Sequence, residues 1–307
     1  MSFDTPLSLC GPLRQPRQML AEQEYAGHTS IHDDATAGTL GLQAGPIEGP
    51  THFSQFVPLL AHFWGRDWFE RGCLSVHFRN MVVEGESVRA FAELPPSAAT
   101  HTRAWAEKAD GTLVLEAGAS VGPNHGETLL EQRMARLRPP EKLVILSDLR
   151  VGMTGAEDEP VRMDPDQRMG ELYPFSLNEK LEKITEGSPW YSDASVSPWG
   201  RAIIPLEMVS VLAEYTSHKA KFPVKQPSVG LFADLEIRMV EGPLFVSEDY
   251  LLRREIVALS ESRRTESYWV RTRILDGAGQ RLKAEMLLNH AVMKESFPGY
   301  DAARQGG

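Results

Sequence analysis

Blocks of alternating apolar and polar residues recur along the chain at an offset of roughly 160 positions. Leu74 to Leu94 (LSVHFRNMVVEGESVRAFAEL) and Ala233 to Ile256 (ADLEIRMVEGPLFVSEDYLLRREI) each read as strand, turn, strand around a V-E-G at Gly85 and Gly242. Period-two alternation of this kind places one set of side chains on a buried sheet face. Further on, His101 to Val121 answers Ser267 to His290, each pair of runs broken by a D-G dipeptide, Asp110-Gly111 and Asp276-Gly277. D-G between alternating runs is a strong hairpin signal, because both turn residues must tolerate positive φ.

Ahead of each block lies one apolar helical segment. In the first, Thr51 is positioned to cap HFSQFVPLLAHFWG, and Pro58 inside it predicts a kink or a short first turn. In the second, Pro205 suits the first position of LEMVSVLAEYTSHKA, with Met208, Val209, Val211 and Leu212 on the apolar face and Glu207, Glu214 and Lys219 on the others. One helix followed by several antiparallel strands, twice over, predicts an α+β protein in which sheets wrap central helices. The Pro pair at Pro139-Pro140 opens an acidic, Gly-rich stretch running to Pro174. It sets the expected domains at residues 1–138 and 139–307.

Composition narrows the function classes. The 307 residues are 42% hydrophobic and 24% charged, enough apolar material for packed cores. A formal charge of -10 leaves no basic excess for nucleic acid or an anionic membrane. Cys10 and Cys73 are the only cysteines and have no metal-ligand spacing. The start, MSFDTPLSLCGPLRQPRQ, lacks a basic segment followed by an apolar one, so the cytoplasm is the expected compartment. The glycines of VEGESV and DGAGQR serve turns and do not open a helix after a strand, so no dinucleotide fingerprint is present and no cofactor or metal is expected.

The segment before each helix carries the candidate chemistry. EGSPWYSDASVSPWGRAIIPLEM (Glu186 to Met208) and GHTSIHDD (Gly27 to Asp34) with AGPIEGPTHF (Ala44 to Phe53) together resemble the D-x-N-P-x-H-x-D motif and helix entrance of tandem hotdog proteins of the MaoC-like acyl-CoA hydratase and dehydratase family. In the second half Glu186 occupies the Asp position, Ser188-Pro189 the Asn-Pro position and Tyr191 the His position, with Asp193 as the trailing acid. In the first half His32 and Asp34 are retained, but Gly27 stands where the family has its catalytic Asp.

The resemblance implies a double hotdog, two sheets each wrapped around a central helix, paired as a pseudo-dimer within a monomer or doubled in a homodimer. It implies an acyl-CoA or acyl-carrier thioester as partner, and water addition or removal at the α–β position as the reaction. That chemistry needs an acid, a base and donors to the enolate oxygen. His32 is the expected acid/base. Asp34, Glu48, Glu186 and Tyr191 are the candidates for the second catalytic group. Asp33 and Asp34 also fit an N-cap. The helix starts from Gly45 to Thr51 and from Gly200 to Pro205 are the candidate oxyanion sites. Gly49, Thr51, His52, Trp190, Trp199 and Gly200 are the expected substrate contacts, the tryptophans hinting at a bulky or aryl acyl group. Two alternatives share the pocket: a thioester hydrolase using Glu207 or Glu214 on the second helix, and a binding protein whose catalytic pair has decayed.

Overall fold

Antiparallel pairing joins nine strands into a single sheet, and the order of those strands is what the internal repeat builds. The computed structural model describes residues 7–25, 27–96, 98–156 and 159–305. The first six residues of the chain, and Glu157 and Asp158 of the acidic stretch, lie outside them.

The first half supplies β1 (Ser8–Cys10), β4 (Gly72–Phe78), β5 (Val88–Glu93), β6 (His101–Lys108) and β7 (Leu113–Val121). The second supplies β8 (Gly230–Met239), β9 (Tyr250–Glu261), β10 (Thr265–Asp276) and β11 (Leu282–Met293). A separate two-residue ladder, β2 (Glu24–Tyr25) with β3 (His28–Thr29), turns at Gly27, whose φ of 79° favours glycine. The sheet order is β1-β5-β6-β7-β4-β8-β11-β10-β9. Outward from the β4–β8 seam, and with β1 set aside as an added edge strand, each half places its four strands in the same rank: first, fourth, third, second.

The D-G dipeptides do mark hairpins, joining β6 to β7 and β10 to β11. In the first the left-handed residue is Gly111, whereas in the second it is Gly279, two residues after the D-G. The V-E-G segments connect β4 to β5 and β8 to β9, which are consecutive in sequence but not neighbours in the sheet.

The first central helix begins as a 3-10 turn over Gly49–Phe56 and continues as α2 (Val57–Trp64) and α3 (Arg66–Arg71), after a short α1 (Asp34–Thr39). Pro58 sits in the first turn of α2, where a missing N–H costs least. Thr51 lies inside the 3-10 turn instead of capping it; the turn starts after Glu48, which makes no side-chain cap bond. The second central helix is α6 (Leu206–Glu214), with Pro205 at its N-cap and a 3-10 turn at Ser217–Ala220 beyond it. Between the halves run α4 (Leu129–Met134) and α5 (Leu177–Leu181), both with complete capping boxes, and α7 (Tyr300–Gln305) closes the chain.

The 3-10 turn of the first helix packs on α6, so each central helix is covered by the sheet and by the other helix. Glu207 and Glu214, although off the apolar face, are therefore buried as well, and of the three polar positions only Lys219 is exposed. One apolar cluster runs through both halves, from Phe53, Phe56 and Leu74 to Met208, Leu212 and Ile237.

At the seam Cys73 pairs with Arg238, Leu74 with Ile237, Ser75 with Glu236, Val76 with Leu235 and His77 with Asp234. The buried Asp234 carboxylate accepts from His77 Nδ1, Arg133 Nε and Asn289 Nδ2, each at 2.8 Å, which ties α4 and both half-sheets to one point. Truncating the fully buried Leu74 leaves a void against Ile237. Leu74→Ala is expected to lower the unfolding free energy by about 2–5 kcal/mol in urea denaturation, and a loss below about 1 kcal/mol would mean the seam is not a shared core.

Candidate active site

A cavity of about 600 Å³ opens where the start of the first central helix faces the end of the second. Its size suits a small organic ligand. The first half contributes His32, Glu48, Gly49 and His52, and the second contributes Tyr173, Glu214, Tyr268 and His290.

His32 is fixed by a tightly bonded loop. Asp33 caps α1 by accepting the Thr36 N–H at 2.8 Å, and Asp34 Oδ1 accepts the Gly45 N–H at 2.8 Å. A Cβ on Gly45 would stand 2.0 Å from the His32 carbonyl oxygen, so glycine is required for the approach of the two strands of this loop. His32 Nδ1 lies 2.6 Å from the Pro46 carbonyl oxygen. A carbonyl can only accept, so the ring proton resides on Nδ1 and Nε2 keeps its lone pair. Burial, opposed in part by the Pro46 bond, lowers the His32 pKa to about 4, and the ring is neutral at pH 7.

Glu48 precedes the 3-10 turn and is 5% exposed, with Oε1 lacking a hydrogen-bond partner among the described residues. Burial pushes its carboxyl up to about 7, against the attraction of Lys180 and with the repulsion of Glu207. His52, one turn on, has no partner at Nδ1 among the described residues, and burial with the charges of Lys180 and Lys108 holds it near 4. Gly49 supplies the first peptide N–H of the turn, since Pro50 has none; a Cβ there would meet the Phe78 ring at 2.6 Å.

Behind Glu48 lies a buried charge cluster that the sequence does not announce. Lys180 of α5, 2% exposed, donates to Thr51 Oγ1 at 3.0 Å and stands 3.5 Å from Glu207 Oε1. Ser54 Oγ donates to Glu207 Oε2 at 2.9 Å. A buried ammonium is tolerable only beside such anions, and its charge draws Glu48 toward ionisation, in opposition to burial.

The second-half wall has its own pair. Glu214, the last residue of α6, has Oε2 at 3.6 Å from His290 Nε2, and burial pushes its carboxyl up to about 7 and the His290 ring down to about 3. His290 stacks on Tyr268 (4.6 Å, 8°) and meets Phe232 edge-on (5.6 Å, 89°). Arg254 bonds the Ala213 carbonyl and Thr216 Oγ1 at the helix end. Tyr173 lines the cavity between the two walls, its phenol held up by burial and by both Glu48 and Glu214.

The remaining expected residues go elsewhere. Asp34 is exposed and serves the loop, and Thr51 points to Lys180. Glu186 forms a two-pronged ion pair with Arg14 at 2.6 and 3.0 Å. Tyr191 is buried beside Ile203 and Ile204, its phenol pushed well above 10 by burial. Trp190 and Trp199 pack edge-on with each other and with Phe69 of α3, Trp199 Nε1 donating to Glu70 at 2.9 Å. Gly200 is an exposed turn residue with φ 66°. None of these lines the cavity: in the second half, aromatic packing against α3 fills the space before the helix. Tyr173, Lys180, Tyr268 and His290 are not singled out by the sequence, although His290 has a signal there: it falls in the apolar register of β11, after Ala284, Met286 and Leu288.

Among the described residues no cluster of His, Cys, Asp and Glu could hold a metal ion, and no helix is long and apolar enough to cross a membrane. No family model and no curated protein matches the chain. Solved structures do. A candidate MaoC domain protein dehydratase from Chloroflexus aurantiacus J-10-fl aligns with TM-score 0.60 at 13% identity over 95% of each chain. A double-hotdog protein of Mycobacterium tuberculosis, essential for bacterial survival during infection, gives 0.55 at 11% identity over 95% of this chain and 97% of its own. A MaoC-like dehydratase gives 0.51 at 12% identity over 93% and 97%. The chain is a double hotdog protein. Its fold is that of the MaoC-like dehydratases, and at these identities the likeness is one of fold.

The Glu48 carboxyl titrates above its ordinary range, so the folded protein holds this proton more tightly than the unfolded chain. The stability associated with it is complete below about pH 4.5 and is lost as pH rises through about 7. Glu48→Gln cannot suffer that loss. Its stability relative to wild type is expected to improve between about pH 5 and pH 7 by up to about 1.4 kcal/mol per pH unit in denaturant melts, and a flat or falling difference would show that Glu48 is charged without penalty.

Proposed function

We propose that this protein is a MaoC-like hydratase or dehydratase that adds or removes water across the α–β bond of an acyl thioester. The observation that carries the reading is the convergence on one cavity of His32, with the lone pair of Nε2 fixed by the Pro46 bond, the Glu48 carboxyl, whose Oε1 has no partner among the described residues, and the Gly49 helix start.

In the direction of hydration, His32 Nε2 takes a proton from water as its oxygen attacks the β carbon. The electron pair of the double bond moves toward the thioester carbonyl, whose oxygen is received by the peptide N–H at Gly49. Glu48, protonated for much of the time near neutral pH, gives its proton to the α carbon. Proton return from His32 to Glu48 through solvent resets the site. Glu48 thus takes the place of the family carboxylate that Gly27 cannot supply. His32 is neutral and so has a lone pair to accept the proton, although its lowered pKa makes it a weaker base than an ordinary imidazole, and the carboxyl near 7 is suited to an acid.

Hydrolysis of the thioester is the second reading, favoured by one observation: of the two acids on α6, Glu214 lines the cavity. The two are separated by mass spectrometry of enoyl-, 3-hydroxyacyl- and saturated acyl-CoA esters incubated with wild type, His32→Ala and Glu214→Gln. A mass change of one water, slowed about 10²- to 10⁴-fold in His32→Ala, is the expected result. Release of free CoA that survives His32→Ala and fails in Glu214→Gln would assign a hydrolase. Binding without turnover of any ester would leave a carrier or partner protein.

A further inference from the structure

The proposed chemistry uses the first-half wall of the cavity and leaves the second-half wall without a task. That wall is not built for a simple alkyl chain. Glu214 is 3% exposed, borders the cavity, and has Oε1 without a hydrogen-bond partner among the described residues. Ser217 and the charge of Arg254 act on the carboxyl without supplying Oε1 a partner, so an alkyl tail would shut that oxygen away with no donor, which is the costly case for a buried polar group. A carboxylate tail would meet it with like charge.

The rest of the wall is aromatic. Phe232, Tyr268 and His290 are only half-buried, line the cavity, and contact one another in parallel and perpendicular geometry around the His290 ring. Such a cluster offers faces and edges to a further flat ring. Arg254 pins the end of α6 through Ala213 and Thr216, so Glu214 is held at a fixed place beside these rings.

We infer that the second-half wall seats an acyl group ending in a hydroxylated aromatic ring, with the ring against Phe232, Tyr268 and His290 and its hydroxyl donating to Glu214. This rests on the acyl-thioester reading above and names the substrate class for that same cavity. The upward pull of burial on the Glu214 carboxyl, to about 7, is the cost that a phenol O–H relieves. A site that provides a partner for a hydroxyl discriminates against the analogue lacking it, because its own polar group is then stranded.

The test is calorimetric titration of the full-length protein with CoA thioethers bearing para-hydroxyphenylpropyl, phenylpropyl and octyl tails, which neither gain water nor hydrolyse. The hydroxyphenyl ligand is expected to bind at least about tenfold more tightly than the phenyl ligand, with the octyl ligand weakest. In Glu214→Leu the ratio between the two aryl ligands is expected to fall to about one, while Glu214→Gln, which keeps an acceptor oxygen, retains part of it. Should the leucine variant fail to fold, the wild-type ratio and the glutamine variant still decide the matter. Equal affinity for the two aryl ligands in wild type, or tightest binding of the octyl ligand, would overturn the inference. Because no turnover is needed, a protein that shows this preference yet adds water to no enoyl thioester would count against the lyase reading alone.

Discussion

The pairing of β4 with β8 is the contact on which everything else depends. Each would be an edge strand on its own, presenting a row of unpaired N–H and C=O groups. Antiparallel pairing from Cys73–Arg238 to His77–Asp234 satisfies those groups and turns two half-sheets into one continuous surface. With the sheet continuous, the two central helices lie on it together and must bury against each other. The start of one then faces the end of the other, and the space they fail to fill is the cavity.

That geometry also explains the unusual density of buried charge. The second central helix is buried along its whole length, and where it meets the start of the first, Glu48, Lys180 of α5, Glu207 and Glu214 are enclosed with few partners to choose from. Lys180 answers Glu207 and influences Glu48, while Glu214 lies at ion-pair distance from His290 and feels the charge of Arg254 and a hydrogen bond from Ser217. The protein therefore keeps two carboxyls with affinities for a proton near neutrality, one on each wall. Placing such groups away from a cavity would be destabilising without return.

Much of the fold was legible in the chain because its signals are local. Period-two runs, the D-G turns and the apolar helical segments each depend on a few adjacent residues, and all appear as strands, hairpins and helices. Sheet order was not legible, since nothing within the V-E-G segments indicates that the strands they join are not neighbours. The site was half-readable. His32, Glu48, Gly49 and His52 sit together because they lie within one loop and one turn, whereas Lys180 and His290 arrive from remote segments. Glu186, Tyr191, Trp190, Trp199 and Gly200 follow the motif in sequence, yet with Trp190 and Trp199 packed on Phe69 only a cavity of about 20 Å³ is left there. A motif fixes the order of residues, and packing decides how large a void they face.

Because both seam strands belong to one chain, the two walls of the cavity are tethered and their encounter is intramolecular. A symmetric pair of separate subunits would come apart on dilution and would carry two equal sites. Here the effective concentration of one wall for the other is set by chain length, not by expression level, and each half is free to diverge. The unequal contents of the two helix entrances, a fixed imidazole at one and a plug of aromatic rings at the other, are what such freedom produces.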